Sequence, residues 1–214
     1  MASKTAICNL ALARIGIQQQ IASIDESSAY ARACKLFYDQ SRESMLRFRP
    51  WPWAQRYGTL ALVSEAPNPD WGFAYRYPNG YLKIYQLVLE SGGSSTGYVV
   101  YDSLNLGYTH TFQQAIPWQM GSDTQGQLIF CDQEDVLAYG TYNVEDTAQF
   151  TSEFADALAW KLASEVASGL TKDMNMTERA ANMAEAIASR AAASAYNEGV
   201  PREPSESSFT EARY

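Results

Sequence analysis

The sequence has few of the residues on which most catalytic and metal sites depend. His110 is its only histidine, so a histidine-based triad or a multi-histidine metal site would have one such residue to use. Its three cysteines, Cys8, Cys34 and Cys131, are odd in number and far apart and form no CxxC pair, which argues against a disulfide framework and a zinc site. We therefore predict no catalytic residue, no cofactor and no metal, and we expect the chain not to be an enzyme.

Long apolar runs and clusters of basic residues are also missing. No apolar run approaches the roughly 20 residues that a membrane-spanning helix needs, so no membrane partner is expected. The 16 basic residues are scattered, and with 24 acidic residues they leave a formal net charge of −8. This distribution argues against tight binding to a phosphate backbone. Any contact with nucleic acid is expected to be non-specific, because an acidic surface repels DNA.

The N-terminal quarter of the chain has helical periodicity. Apolar residues at i, i+3, i+4 and i+7 predict a first helix over residues 3–15, with Gly16 as its C-terminal cap. Asp25 and Ser27 are the expected caps of a second helix, which Pro50 ends because proline cannot continue the helical hydrogen bonds.

Helical periodicity returns after residue 150. A third helix is predicted to begin at Thr151 and to end at Gly169. A fourth is predicted from a cap at Asp173 to about residue 195, with an alanine-rich face that would permit close helix packing. Residues 199–214 are rich in Pro, Ser, Glu and Arg and have little to bury, so an extended tail is expected there.

Between the two helical regions the sequence is typical of β-structure. Short runs of β-branched and aromatic residues alternate with clusters of Gly, Pro, Asn and Ser. Residues 102–124 are poorly patterned and are interpreted as a long loop or an irregular hairpin. Strands are predicted at residues 59–63, 73–77, 82–89, 98–101, 127–131 and 136–142.

This order predicts an α+β fold with one domain inserted into another. We expect an antiparallel helical bundle from residues 1–54 plus 146–198 and an antiparallel β-sheet or sandwich domain from residues 55–145. Residues 199–214 follow as the extended C-terminal tail.

Several segments have both a functional and a structural interpretation. His110 lies in a predicted loop and is interpreted as a surface or contact histidine. The glycine-rich residues 90–97 lack the lysine of a phosphate-binding loop, so a flexible hairpin loop is favoured. The acidic cluster at Asp132, Glu134 and Asp135 is interpreted as a solvated turn between two strands in preference to a metal site.

Two cysteines and several aromatic residues also have both a functional and a structural interpretation. Cys8 and Cys34 occupy apolar helix faces and are predicted to be core residues. Base stacking by the tryptophans on either side of Pro52 is disfavoured by the acidic surroundings, and a rigid hydrophobic hinge between bundle and sheet is the preferred interpretation. The candidate assembly contacts are Trp51, Trp53, Phe209 and Tyr214.

Several motifs together resemble one family of phage proteins. Residues 5–16, TAICNLALARIG, resemble the opening of the tail tubular protein A family, the head-to-tail adaptors of short-tailed bacteriophages (podoviruses). Within the family pattern, Pro52 and residues 79–81 are departures. Further similar segments are residues 21–25, 45–47, 49–54 (RPWPWA), 73–78 (FAYRYP), 154–159 and 162–167.

The resemblance implies a structural virion protein. It implies a dodecameric ring docked beneath the capsid portal, with the tail nozzle protein below, tail fibres nearby and the DNA ejection conduit inside. Such a protein is assembled in the host cytoplasm and resides in the virion tail. The alternatives are another virion component, such as a head completion or minor tail protein, and a tail-associated cell-wall hydrolase.

Overall fold

The computed structural model describes residues 3–89 and 116–196. Within these ranges the chain is α+β, with four helices and two antiparallel sheets, and this confirms the predicted fold class.

Helices α1 (Lys4–Arg14) and α2 (Ala29–Phe48) form the N-terminal region. Gly16 has φ +83° and its N–H donates to the carbonyl of Ala13, which confirms the predicted cap of α1. The predicted caps of α2, Asp25 and Ser27, were wrong: the helix is capped by Ser28, whose hydroxyl accepts a hydrogen bond from the N–H of Ala31.

Helices α3 (Ser152–Thr171) and α4 (Met174–Tyr196) follow the β region. Thr151 caps α3 by accepting from the N–H of Phe154, and the Asp173 carboxylate accepts from the first N–H groups of α4. The predicted end of α3 at Gly169 was wrong, because the helix continues to Thr171 and ends at the cap residue Lys172, which has a left-handed φ of +58°.

Seven strands form the two sheets of the described residues. One sheet has the order β1-β7-β4 and the other has the order β2-β3-β6-β5. The strands are β1 (Gln55–Thr59), β2 (Ala61–Asn68), β3 (Trp71–Arg76), β4 (Tyr81–Leu89), β5 (Trp118–Asp123), β6 (Gly126–Cys131) and β7 (Val136–Tyr142).

Two predictions about the β region need correction. The predicted strand at 59–63 is interrupted at Leu60, whose partly buried side chain packs on the core while the chain passes from one sheet to the other. The segment 102–124, interpreted as a long loop or an irregular hairpin, contains a regular strand, β5, which pairs with β6 from Trp118 opposite Cys131 to Asp123 opposite Gly126. The remainder of that loop, and the predicted strand at 98–101, lie outside the described residues.

The chain divides into two compact units. In the described residues, a helical unit contains residues 3–55 and 141–196, and a β unit contains residues 56–89 and 116–140.

The helical unit is organised around α3, which packs on α1, α2 and α4. The buried residues of α4 are all small, so its backbone comes close to α3. They are Ala180, Ala184, Ala188, Ala191 and Ala192.

Both sheets contribute to a single apolar core in the β unit. Tyr75, Ile129 and Cys131 come from one sheet. Ile84, Leu87, Val136 and Ala138 come from the other.

Candidate functional site

The two tryptophans of the candidate contact set lie in an aromatic cluster of the helical unit. Trp51 is completely buried, and its indole N–H donates to the carbonyl of Met45 at 2.9 Å. Its ring packs edge-on against Phe154, with 4.9 Å between the ring centres. Trp51 is therefore a core residue of the helical unit, and a partner cannot reach its side chain in this conformation.

Trp53 has a different environment from Trp51. Its side chain is only partly buried, and its ring centre lies 5.0 Å from that of Phe154 and 5.6 Å from that of Phe150. Its indole N–H is buried and has no hydrogen-bond partner within the described part of the chain. Of the two tryptophans, Trp53 is the one with ring surface that a partner could contact.

Arg14 holds α1 against α3. One guanidinium nitrogen donates to the Asp156 carbonyl at 2.8 Å, and another pairs with the Asp156 carboxylate. The guanidinium carbon lies 4.5 Å from the centre of the Trp160 ring, a cation–π contact. Burial lowers the pKa of Arg14, and the carboxylate of Asp156 opposes that shift.

A second arginine, Arg42, connects α2 to the chain that returns from the β unit. Its side chain is buried and donates to the Val144 carbonyl at 2.9 Å and to the side-chain oxygen of Asn143. The Glu43 carboxylate lies 3.5 Å from the same guanidinium and accepts from Asn143 at 3.3 Å. This network fixes where the two halves of the helical unit meet.

Between α1 and α2 lies a buried pair of cysteines, as predicted from their positions on apolar faces. Cys8 and Cys34 are both fully buried and free. The hydrogen bond with Cys34 and burial raise the pKa of the Cys8 thiol far above its ordinary value. Cys8 therefore remains a protonated thiol and acts as a small core residue.

Helix α1 is apolar on two sides. Its inner side is buried through Ile7, Cys8, Ala11 and Leu12. Its outer side exposes Ala6, Leu10 and Ala13, and Leu10 is 46% accessible. We call these three residues the Leu10 face. Because Leu10 is an exposed apolar side chain with exposed alanines beside it, the Leu10 face is a candidate contact surface.

The acidic cluster forms the turn that the sequence predicted. Residues 132–135 connect β6 to β7, and the Asp132 carboxylate accepts from the N–H of Gly72 at 2.8 Å. Among the described residues, no group of three or more His, Cys, Asp or Glu side chains is placed to hold a metal ion.

Several sequence candidates lie outside the described residues. They are His110, the glycine-rich residues 90–97, Phe209, Tyr214 and the predicted tail at 199–214. One pattern escaped the sequence analysis: residues 93–97, Gly-Ser-Ser-Thr-Gly, have the GxSxG spacing of a nucleophile elbow centred on Ser95. That motif acts at a strand-to-helix turn, and these residues lie outside the described part of the chain.

Comparison with known proteins leaves the family open. The chain matches no protein-family model, and no curated protein matches it. None of the described helices has the length and apolar character needed to cross a bilayer.

Proposed function

We propose that this chain is a structural virion protein and not an enzyme. It is one subunit of an adaptor ring that joins the capsid portal to the tail nozzle of a short-tailed bacteriophage and forms part of the DNA ejection conduit. The ring is a dodecamer, assembled in the host cytoplasm and carried in the virion tail, with tail fibres attached nearby. DNA passes through it with non-specific contacts only.

The main support for the proposal comes from helix α1. The segment 5–16, which holds the most specific part of the resemblance, forms this helix and its glycine cap. The same helix exposes the Leu10 face, which a lone subunit leaves in water. Apolar surface of this kind is expected on a protein that functions inside a symmetric assembly.

The proposal also includes the finer architecture. In the ring subunit the four helices form an antiparallel bundle, and the two sheets form an inserted sandwich. Residues 199–214 are an extended tail that becomes ordered against the portal or an adjacent subunit. Phe209 and Tyr214 anchor this tail, and Trp53 adds a further assembly contact.

Electron microscopy tests the adaptor role directly. The purified chain is mixed with the portal of the same phage, and each component alone is the control. A new ring stacked under the portal with matching symmetry is expected. An undecorated portal would contradict the adaptor role and would favour another virion component, such as a head completion or minor tail protein.

Deletion of residues 199–214 tests the role of the tail. We expect the truncated chain to yield particles without attached tails. Particles with attached tails would contradict the proposed tail contact while leaving the ring itself intact.

The enzymatic alternative is a tail-associated cell-wall hydrolase. Incubation of the purified chain with peptidoglycan is expected to release no soluble fragments. Release that stops in Ser95→Ala would establish the hydrolase and contradict the structural assignment, because Ser95 occupies the nucleophile position of the GxSxG spacing.

A further inference from the structure

The turn between β3 and β4 contains an asparagine followed by a glycine. Asn79 and Gly80 are both exposed, and Gly80 has a left-handed φ of +81°. The N–H of Tyr81 donates to the carbonyl of Pro78 at 3.4 Å and closes the turn. This hydrogen bond is longer than the usual distance of about 2.9–3.0 Å, so the turn is only weakly closed.

Asn79 differs from the other asparagines of the chain in the residue that follows it. It is the only asparagine in the sequence that precedes a glycine. Because glycine has no Cβ, its backbone nitrogen can approach the side-chain carbonyl carbon of the asparagine before it. Asn68 precedes a proline, which has no N–H, and the Asn9 side chain is fixed by hydrogen bonds to the N–H and the carbonyl of Ile21. No described residue forms a hydrogen bond with the Asn79 side chain, so its amide is free to rotate.

We propose that Asn79 is a deamidation site. The backbone nitrogen of Gly80 attacks the Cγ carbon of Asn79, and a new C–N bond closes a five-membered succinimide ring. The bond from Cγ to the side-chain nitrogen breaks, and that nitrogen leaves as ammonia with the proton that the Gly80 nitrogen loses. Water then opens the ring at either carbonyl and leaves aspartate or isoaspartate at this position. Water is the only co-reactant, and the site does not depend on the proposed adaptor role.

The two products affect the β unit differently. Aspartate leaves the main chain unchanged and adds one negative charge at an exposed position. Isoaspartate carries the main chain through the former side chain and so lengthens the turn by one carbon atom. Strand β4 is closely packed directly after the turn, because a Cβ at Gly58 would lie 2.6 Å from the Tyr81 hydroxyl and one at Gly140 would lie 2.1 Å from the Lys83 carbonyl oxygen. Isoaspartate should therefore disturb the packing of β4, and aspartate should not.

Incubation of the folded full chain in warm, mildly alkaline buffer tests the site. Trypsin then releases residues 77–83, whose only asparagine is Asn79, and residues 180–190, whose only asparagine is Asn182 in α4. By mass spectrometry, we expect the first peptide to gain one dalton and to separate into an aspartate form and an isoaspartate form. The second peptide is the internal control and should not change. In the variant Asn79→Gln the first peptide should also stay unchanged, because glutamine would have to close a six-membered ring.

The rate of the reaction shows whether the fold leaves the site open. A synthetic peptide of residues 77–83 gives the rate for the same sequence without the fold. We expect the rate in the folded chain to be within about tenfold of the rate in the peptide, because an exposed and weakly closed turn opens at little cost in free energy. A folded chain that gains no mass at Asn79, or that reacts more than about tenfold more slowly than the peptide, overturns the inference.

Urea denaturation separates the effect of the charge from the effect of the longer main chain. Freshly purified Asn79→Asp has the charge alone and should have the urea midpoint of the fresh wild-type chain. The incubated wild-type chain, in which an isoaspartyl methyltransferase measures the isoaspartate content, should have a lower midpoint. Incubated Asn79→Gln should keep its midpoint. An unchanged midpoint in the isoaspartate-containing chain, or an equal loss in incubated Asn79→Gln, overturns the predicted effect on β4.

Discussion

The helical unit and the β unit are stabilised over very different distances along the chain. In the helical unit, Arg14 bonds to Asp156 across 142 positions and Arg42 bonds to Val144 across 102. In the β unit, Arg76 bonds to Asp123 across 47 positions, and the Tyr75 hydroxyl donates to the Gln133 carbonyl across 58. The helical unit therefore needs both ends of the chain, whereas the β unit is built from one continuous insertion.

This difference has a consequence for folding. Contacts distant in sequence require a long loop to close before they stabilise the fold, which slows folding. The β unit needs only its own segment and can form while the helical unit is incomplete. In the full chain, we expect a substitution in one unit to change the free energy of unfolding of that unit more than that of the other unit.

The largest effect is expected from Trp51→Ala in the helical unit. The substitution removes a fully buried ring and its hydrogen bond to Met45, and should lower the free energy of unfolding by about 3–5 kcal/mol. Trp71→Ala, at a partly buried tryptophan of the β unit, is the control and should cost less. Urea denaturation followed by circular dichroism measures both. Equal losses would mean that the tryptophan cluster is not the centre of the helical unit.

Arg42→Ala addresses the connection between the two halves of the helical unit. It leaves the Asn143 side chain and the Val144 carbonyl without their donor in a buried site, at an expected cost of about 3 kcal/mol. Arg76→Ala is the matched control in the β unit, where a solvent-accessible pair should contribute little. If the two substitutions have equal effects on the urea midpoint, the distant contacts do not dominate the helical unit.

The structure could be predicted from the sequence where a local pattern of residues determines it. The four helices, the cap at Gly16 and the strand at Val136–Tyr142 follow from periodicity and turn residues. The structure could not be predicted where it depends on packing between residues of different strands or helices. Gly121 in β5 lets Phe130 lie against the backbone, since a Cβ there would be 2.2 Å from that ring, and no local pattern reveals such a contact.

The candidate site was predictable only in part, for the same reason. The sequence placed Trp51 and Trp53 together, but their different burial depends on Phe150 and Phe154, which lie about 100 residues away in sequence. The exposure of Leu10 likewise results from how α1 packs on α3, because Leu10 and Leu12 are the same residue type two positions apart and only Leu12 is buried.

Gly140→Ala should destabilise the β unit. A Cβ at this position would lie 2.1 Å from the Lys83 carbonyl oxygen, so the backbones of β7 and β4 would have to move apart. We expect a loss of about 1–3 kcal/mol in the free energy of unfolding. An unchanged urea midpoint would show that the sheet tolerates the wider spacing.

Gly169→Ala is the same substitution in the helical unit, but here we expect the free energy of unfolding to increase. The residue lies inside α3, and an added Cβ would meet no atom within 4 Å. Alanine restricts the unfolded chain more than glycine does, so the variant should be more stable by about 0.5–1 kcal/mol. A loss of stability in thermal unfolding would mean that α3 needs flexibility before its end.

The smallest effect concerns the dependence of the β unit on pH. Hydrogen bonds from Arg76 lower the pKa of Asp123 to about 2, below the value of about 3.9 for an unfolded chain. The unfolded state therefore takes up the proton first, and the stabilising contribution is present above pH 4 and disappears as the pH falls towards 2. Asp123→Asn should make the free energy of unfolding of the β unit less dependent on pH in this range. The pH dependence of the helical unit should not change. If the slope between pH 4 and pH 2 is the same in both chains, the Arg76–Asp123 pair is not what makes the β unit sensitive to acid.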